Sequence, residues 1–181
     1  MNIGFDLDGV MYDWHQSAYD WCTRSGVTNV DWETFWLEWL PTQSTIFTNN
    51  LTGLQDLYEN MIPSPKFFEF IRRVTKGHNV FYITYRPKEV ERVTERFLKK
   101  YGYPNSENII FCKDKVPPVL TNDIELFVED RHFIANSLAP VCKTLLITKV
   151  WNRHAELDPR VIRINSIFEI ERFINESSKT S

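Results

Sequence analysis

Residues 2–14 read NIGFDLDGVMYDW. Ile3, Phe5 and Leu7 alternate with Gly4, Asp6 and Asp8, and this period of two predicts a buried strand over residues 2–8. The strand ends in two carboxylates, followed at once by Gly9. Like charges at the end of a buried strand are costly unless something cationic neutralises them. The stretch therefore predicts a chemical site as well as a strand.

The rest of the chain bounds what that site can be. With 181 residues there is room for one sizeable core and a small insertion. A formal charge of −3 gives no global attraction to nucleic acid or to an anionic membrane. There is no run of eighteen apolar residues and no charged-then-apolar leader before Ile3, so the expectation is a cytoplasmic protein. Cys22, Cys112 and Cys142 are widely spaced and odd in number, which fits reduced thiols better than a disulfide framework or a zinc site. The oligomeric state stays open, a homodimer included.

Further apolar runs follow at 79–85 (NVFYITY), 107–112 (ENIIFC), 124–130 (IELFVED) and 143–149 (KTLLITK), with RVIRI at 160–164 as a sixth. Helical patterns separate them. The first is SPKFFEFIRRVTKG, with Ser64 as N-cap and Pro65 in the first turn. RPKEVERVTERFLKKYG places Val90, Val93, Phe97 and Leu98 on one face, and SIFEIERFINES does the same with Ile167, Ile170, Phe173 and Ile174. Short strands alternating with helices predict an α/β fold with a doubly wound parallel sheet, a Rossmann-type core.

Residues 14–62 break this alternation. Five of the six tryptophans fall between Trp14 and Trp39, and no convincing strand occurs. DWHQSAYDWCTRSG, DWETFWLEWLP (Asp31 as N-cap, with Trp32, Phe35, Trp36, Trp39 and Leu40 along one side) and TGLQDLYENM predict three helices. The expected organisation is thus a core of residues 1–13 and 63–181 with a small helical cap, residues 14–62, inserted after the first strand.

Ligands of open parallel sheets bind beyond the carboxyl ends of the strands. Those ends carry Asp6 and Asp8, Thr84, the KDK of 113–115, and Glu129 with Asp130. Mg²⁺ binds through one or two carboxylates plus a substrate phosphate, and Asp6 with Asp130 can supply that pair. A metal-bound carboxylate stays ionised and can act as a nucleophile. Lys113 or Lys115 would orient phosphate oxygens, Thr84 would donate a hydrogen bond, and Asp8, held off the metal, would serve as general acid and base.

DLDGV at 6–10, then Thr84, a lysine and an acidic pair, resembles the haloacid dehalogenase superfamily, and more closely its 5′(3′)-deoxyribonucleotidase branch. The resemblance covers nearly the whole chain in order. It implies a haloacid dehalogenase-like core and an aspartyl-phosphate mechanism, in which Asp6 attacks phosphorus. Asp8 protonates the leaving oxygen and then deprotonates the hydrolytic water. It places Mg²⁺ on the Asp6 carboxylate, the Asp8 backbone carbonyl and the Asp130 carboxylate. The segment IIFCKDKV is similar to one whose Arg-Asp-Lys triplet carries the phosphate-binding lysine, which maps to Lys115 and leaves Lys113 where the branch has arginine. Glu129 replaces the first of two aspartates and would support the ligands from beside them. In the cap, Trp14 would stack on the base, while Phe35 and Trp36 enclose the nucleoside; ITKVWNRH (147–154) is like a late strand and loop of the branch. Tyr85 and Arg86 stand where the branch has a small polar residue and proline, so both become candidate substrate contacts, Arg86 to phosphate or sugar.

Each reading has a plainer competitor. Trp32, Trp36 and Trp39 at helical spacing also fit a packed face, and Trp21 and Trp39 are read as structural. Asp130 would serve equally as the N-cap of RHFIANSL. The four histidines show no ligand spacing, and only His132 adjoins the predicted site. The functional expectation is Mg²⁺-dependent hydrolysis of a nucleoside monophosphate, a small-molecule partner. The alternatives are a phosphatase for another small phosphometabolite and a phosphate- or nucleotide-binding module without turnover.

Overall fold

The computed structural model describes residues 1–39, 51–61, 63 and 65–177. Six strands form one sheet: β1 (Asn2–Phe5), β2 (Asn79–Thr84), β3 (Ile109–Phe111), β4 (Leu126–Glu129), β5 (Lys143–Ile147) and β6 (Ile162–Ile164). Every pairing is parallel and the spatial order is β3-β2-β1-β4-β5-β6. The first three strands run outward from β1 in one direction, and the last three in the other. The switch falls between β1 and β4, where an open α/β sheet leaves a crevice at its carboxyl edge.

Helices supply the crossovers: α4 (Pro65–Val74) before β2, α5 (Glu91–Lys100) before β3, α6 (Val116–Thr121) before β4, α7 (His132–Leu138) before β5 and α8 (Ile170–Ser177) after β6. The expected faces are the buried ones. Val90, Val93, Phe97 and Leu98 line one side of the 88–100 segment, and Ile167, Ile170, Phe173 and Ile174 one side of the last. Burial of each such side chain contributes about 1.5–3 kcal/mol. Ser166 and Glu169 form a reciprocal capping box at the start of the 167–177 segment. Helix α6 has no counterpart in the sequence reading. Its first turn is Val116-Pro117-Pro118, and prolines that would end a helix interior are tolerated there.

Between β1 and α4 lie α1 (Trp14–Arg24), α2 (Trp32–Thr34) running on into a π turn at Phe35–Trp39, and α3 (Leu51–Asn60). The described residues of this stretch contain no strand. Asp13 and Asp31 cap the first two helices, accepting from Gln16 N and from Glu33 N and Thr34 N. The inserted helices share one apolar core with the sheet: Ala18, Cys22, Phe35, Leu57 and Met61 are buried together with Phe5, Tyr82 and Val128. Ser64, Leu40 and the side chain of Trp39 lie outside the described residues.

Strand β1 stops at Phe5, short of the expected 2–8. Asp6 N keeps one ladder bond to Val128 O at 2.9 Å, and then the amides of Val10, Met11 and Tyr12 converge on the Leu7 carbonyl. The chain therefore turns sharply at the sheet edge and carries Asp8 past Asp6. Gly4 is needed for packing: a Cβ there would lie 2.4 Å from the Phe127 ring.

Candidate active site

Asp6 and Asp130 leave adjacent strands on either side of the switch, so the topology itself brings them together. Lys115 sits at the N-cap position of α6, at the start of the crossover between β3 and β4. Its Nζ donates to Asp6 Oδ1 at 2.6 Å and to Glu129 Oε2 at 2.8 Å. The other Glu129 oxygen accepts from the backbone N–H groups of Asp130 and Arg131, at 3.0 and 3.1 Å. Asp6, Glu129 and Asp130 each offer an oxygen within 4.8 Å of the others, and all three residues are buried. Lys113 is exposed, in contrast to the buried Lys115.

The charges on this floor do not balance. Three buried carboxylates face one ammonium, and both oxygens of Asp130 lack a hydrogen-bond partner among the described residues. Burial, against the pull of Lys115, pushes the Asp6 carboxyl up to about 7. Burial, with Glu129 and Asp6 beside it, raises Asp130 well above the usual carboxylate range. Burial also works against Glu129, but Lys115 and the two backbone donors hold it below its ordinary value. An orphaned buried carboxylate next to two others is a donor set that suits a hard divalent cation bound by oxygen. Gly9 keeps the approach open. At φ +83° it turns the chain, and a Cβ there would fall 2.2 Å from Asp130 Oδ2. Asp130 is not a helix cap, since α7 begins after Arg131 and no side chain caps it.

Asp8 has a different environment. Arg86 directs Nε and Nη2 at its carboxylate, with Nε 3.0 Å from Oδ2, and Nη1 donates to Thr94 Oγ1 at 3.0 Å. The Tyr58 hydroxyl, from α3, reaches Asp8 Oδ2 at 3.4 Å. Thr84 is buried at the end of β2, where its Oγ1 accepts from Arg86 N at 3.3 Å. Asp8, Tyr58, Thr84 and Arg86 line one cleft of about 220 Å³, together with Asp6, Lys115, Glu129, Trp14, His15, Tyr85 and Arg131.

The cleft separates the sequence candidates into two sets. Asp6, Asp8, Thr84, Lys115, Glu129, Trp14, Tyr85 and Arg86 line it, and Tyr85 is 51% exposed at its mouth. Asp130, buried beside Asp6 and Glu129, does not line it, and neither do Phe35 and Trp36. Phe35 is fully buried edge-on to Tyr19 and Trp36, while Trp36 packs against His15, Trp32 and Trp151. Large rings at helical spacing have gone into the core, the plainer of their two readings. Arg86, expected at a phosphate or sugar, is engaged by Asp8.

Tyr58, Thr94 and His15 were missed. His15, not His132, is the histidine at the acids: its Nε2 lies 3.7 Å from Asp130 Oδ2 and its ring stacks on Trp151 at 3.8 Å. Burial, with Lys149 and Arg131 nearby, lowers its pKa well below the usual histidine value, so it stands neutral. A signal existed: His15, Ala18 and Cys22 are spaced i, i+3, i+7 and form the buried face of α1. Asn152, next to Trp151, donates to Asp130 O at 2.7 Å and to Ile147 O at 2.8 Å, so the late loop braces the acidic corner.

No protein-family model matches the chain. Among curated proteins it is 26% identical to a Bacillus cereus protein named "Putative nucleotidase", over 89% of this chain and 93% of that one. It is 24% identical to a nucleotidase of Clostridium acetobutylicum, over 94% and 91%. Among solved structures it superposes on a haloacid dehalogenase-like hydrolase of Streptococcus pneumoniae with a TM-score of 0.65, at 14% identity, covering 95% of this chain and 97% of that one. A Bacillus subtilis protein described as a "putative HAD-hydrolase" and solved bound to magnesium gives a TM-score of 0.62 at 12% identity, covering 96% and 98%. The six-stranded parallel sheet, with its acids at the carboxyl edge, is thus the fold of the haloacid dehalogenase-like hydrolases.

Proposed function

We propose that the protein is a Mg²⁺-dependent phosphomonoesterase that hydrolyses nucleoside monophosphates, deoxyribonucleotides first among them, through an aspartyl-phosphate on Asp6. The observation that carries this reading is the pairing of two unlike carboxylates in one cleft. Asp6 sits on a lysine beside uncompensated acids, and Asp8 is held off them by Arg86. Names of relatives at 24–26% identity point the same way.

Asp6 is the nucleophile. Lys115, anchored on Glu129, fixes one Asp6 oxygen and offers its charge to the incoming phosphate. Asp6 and Asp130, with the Asp8 carbonyl, would hold Mg²⁺, which when bound supplies the charge that keeps Asp6 ionised and draws density from the phosphoryl oxygens. Asp8 gives a proton to the leaving ester oxygen and takes one from the hydrolytic water. Trp14 and the exposed Tyr85 line the cleft and would meet a base there, which supports a planar substrate.

The test is phosphate release with Mg²⁺ from ribo- and deoxyribonucleoside monophosphates, sugar phosphates and an aryl phosphate, with Asp6→Asn as blank. Selective turnover of deoxynucleotides, lost in Asp6→Asn and with EDTA, is the expected result. Turnover of the aryl phosphate alone would overturn the substrate assignment. No release from any compound would favour a binding module.

A further inference from the structure

Arg86 spends its donors on protein. Two of its nitrogens address Asp8 and the third addresses Thr94, whose own hydroxyl donates to the Val90 carbonyl at 2.8 Å. The guanidinium carbon lies 4.0 Å from the centre of the Tyr58 ring and 5.1 Å from that of Tyr12, distances at which a cation is attracted to an aromatic face. The side chain is 1% exposed, whereas that of Asp8 keeps 21% of its surface and faces the cleft. A planar fork gripped at both ends and covered by rings is a fixture with little freedom to follow a ligand. The carboxylate it grips is the part that reaches substrate.

We propose, building on the phosphatase reading above, that Arg86 is a positioning residue for the acid/base carboxylate of Asp8, and that Tyr58 of the inserted helical segment completes the holder. The fork pins both Asp8 oxygens, while Asp6 is held by Lys115 instead. One Asp8 oxygen then carries its proton toward the leaving-group oxygen, and Asp8 stays out of the acidic cluster. Because Tyr58 touches both members of the pair, the inserted segment helps set the proton donor as well as covering substrate. In the step concerned, a bond forms from an Asp6 oxygen to phosphorus as the ester P–O bond breaks. The Asp8 proton passes to the departing oxygen. A nucleoside alkoxide needs that proton; a dinitrophenolate departs with its electron pair and needs none.

Leaving-group dependence therefore separates positioning from other roles. kcat/KM would be measured for a deoxynucleoside 5′-monophosphate and for 2,4-dinitrophenyl phosphate in wild type, Arg86→Gln and Tyr58→Phe, with folding checked by thermal melting. General acid catalysis contributes about 10²–10⁴-fold. Arg86→Gln is expected to lose about 100-fold or more on the nucleotide and about threefold or less on the dinitrophenyl ester. Tyr58→Phe, which keeps the ring over Arg86, is expected to show the same asymmetry at about 3–10-fold and decides the matter if Arg86→Gln does not fold. Equal losses on both substrates would overturn the inference and return Arg86 to the phosphate or to a purely structural role. Unchanged kinetics in both variants would also overturn it. A wild type inactive on both esters would instead remove the phosphatase reading, and the inference with it.

Discussion

Asp6 and Asp8 are two residues apart and chemically identical, yet the fold completes their charge in opposite ways. Asp8 is given a permanent partner from β2's carboxyl end, a buried arginine that is itself fully tied down. Asp6 shares one lysine with Glu129 and lies beside Asp130, whose oxygens have no hydrogen-bond partner among the described residues. One corner is finished by the protein; the other keeps uncompensated acids, a donor set that fits a divalent cation. Burying uncompensated charge costs several kcal/mol per ion, and the Asp6 and Asp130 carboxyls answer that cost with raised pKa values.

The largest expected consequence is chemical. Asp6→Asn should abolish phosphate release, by at least about 10³-fold on steady-state rates, as removal of a nucleophile does. Next comes Lys115→Ala, which strips the one cation from two buried carboxylates. A loss of about 3–5 kcal/mol in denaturant unfolding is expected. Lys113→Ala, in an exposed position, should fall within about 0.5 kcal/mol of wild type. Equal effects would erase the distinction between the two lysines.

A gentler probe is pH. Burial raises the folded-state pKa of Asp6 to about 7 and that of Asp130 above the usual range, so between the ordinary carboxylate pKa and those values the folded protein binds more protons than the unfolded chain. Stability of the metal-free protein should therefore fall as pH rises from about 4 to 7 through Asp6, with Asp130 acting in the same direction. Asp130→Asn should flatten that slope and leave the metal-free protein at least as stable as wild type at pH 8 in urea melts. A steep loss of stability in Asp130→Asn would mean the acid is already satisfied without a cation.

The smallest effects concern the rings. Trp14→Ala should raise KM for a nucleotide roughly 5–150-fold, the equivalent of about 1–3 kcal/mol for one base stack, with little change in melting temperature. Trp36→Ala should do the reverse, costing about 3–5 kcal/mol of stability with KM unchanged, because Trp36 packs behind the cleft wall.

What could be read in advance divides along the same line. The strands, their parallel arrangement and the meeting of Asp6 with Asp130 follow from local periodicity and the topology rule for strand ends. Lys115 followed from resemblance. The Asp8 corner did not, because its contacts join residues 78 and 50 positions apart, and neither Arg86 nor Tyr58 carries a spacing signal that names its partner. The tryptophans misled in part, since one period serves both a core face and a binding wall. Phe35 and Trp36 went to the former, while Trp14, one residue after the helix cap, lines the cleft.

The contrast between the two aspartates is tested most directly by calorimetric titration of Mg²⁺ into wild type, Asp130→Asn and Arg86→Gln. One ion should bind to wild type and to Arg86→Gln, and none to Asp130→Asn. Absence of binding to wild type, or equal binding to Asp130→Asn, would contradict the assignment of the acidic corner to a divalent cation.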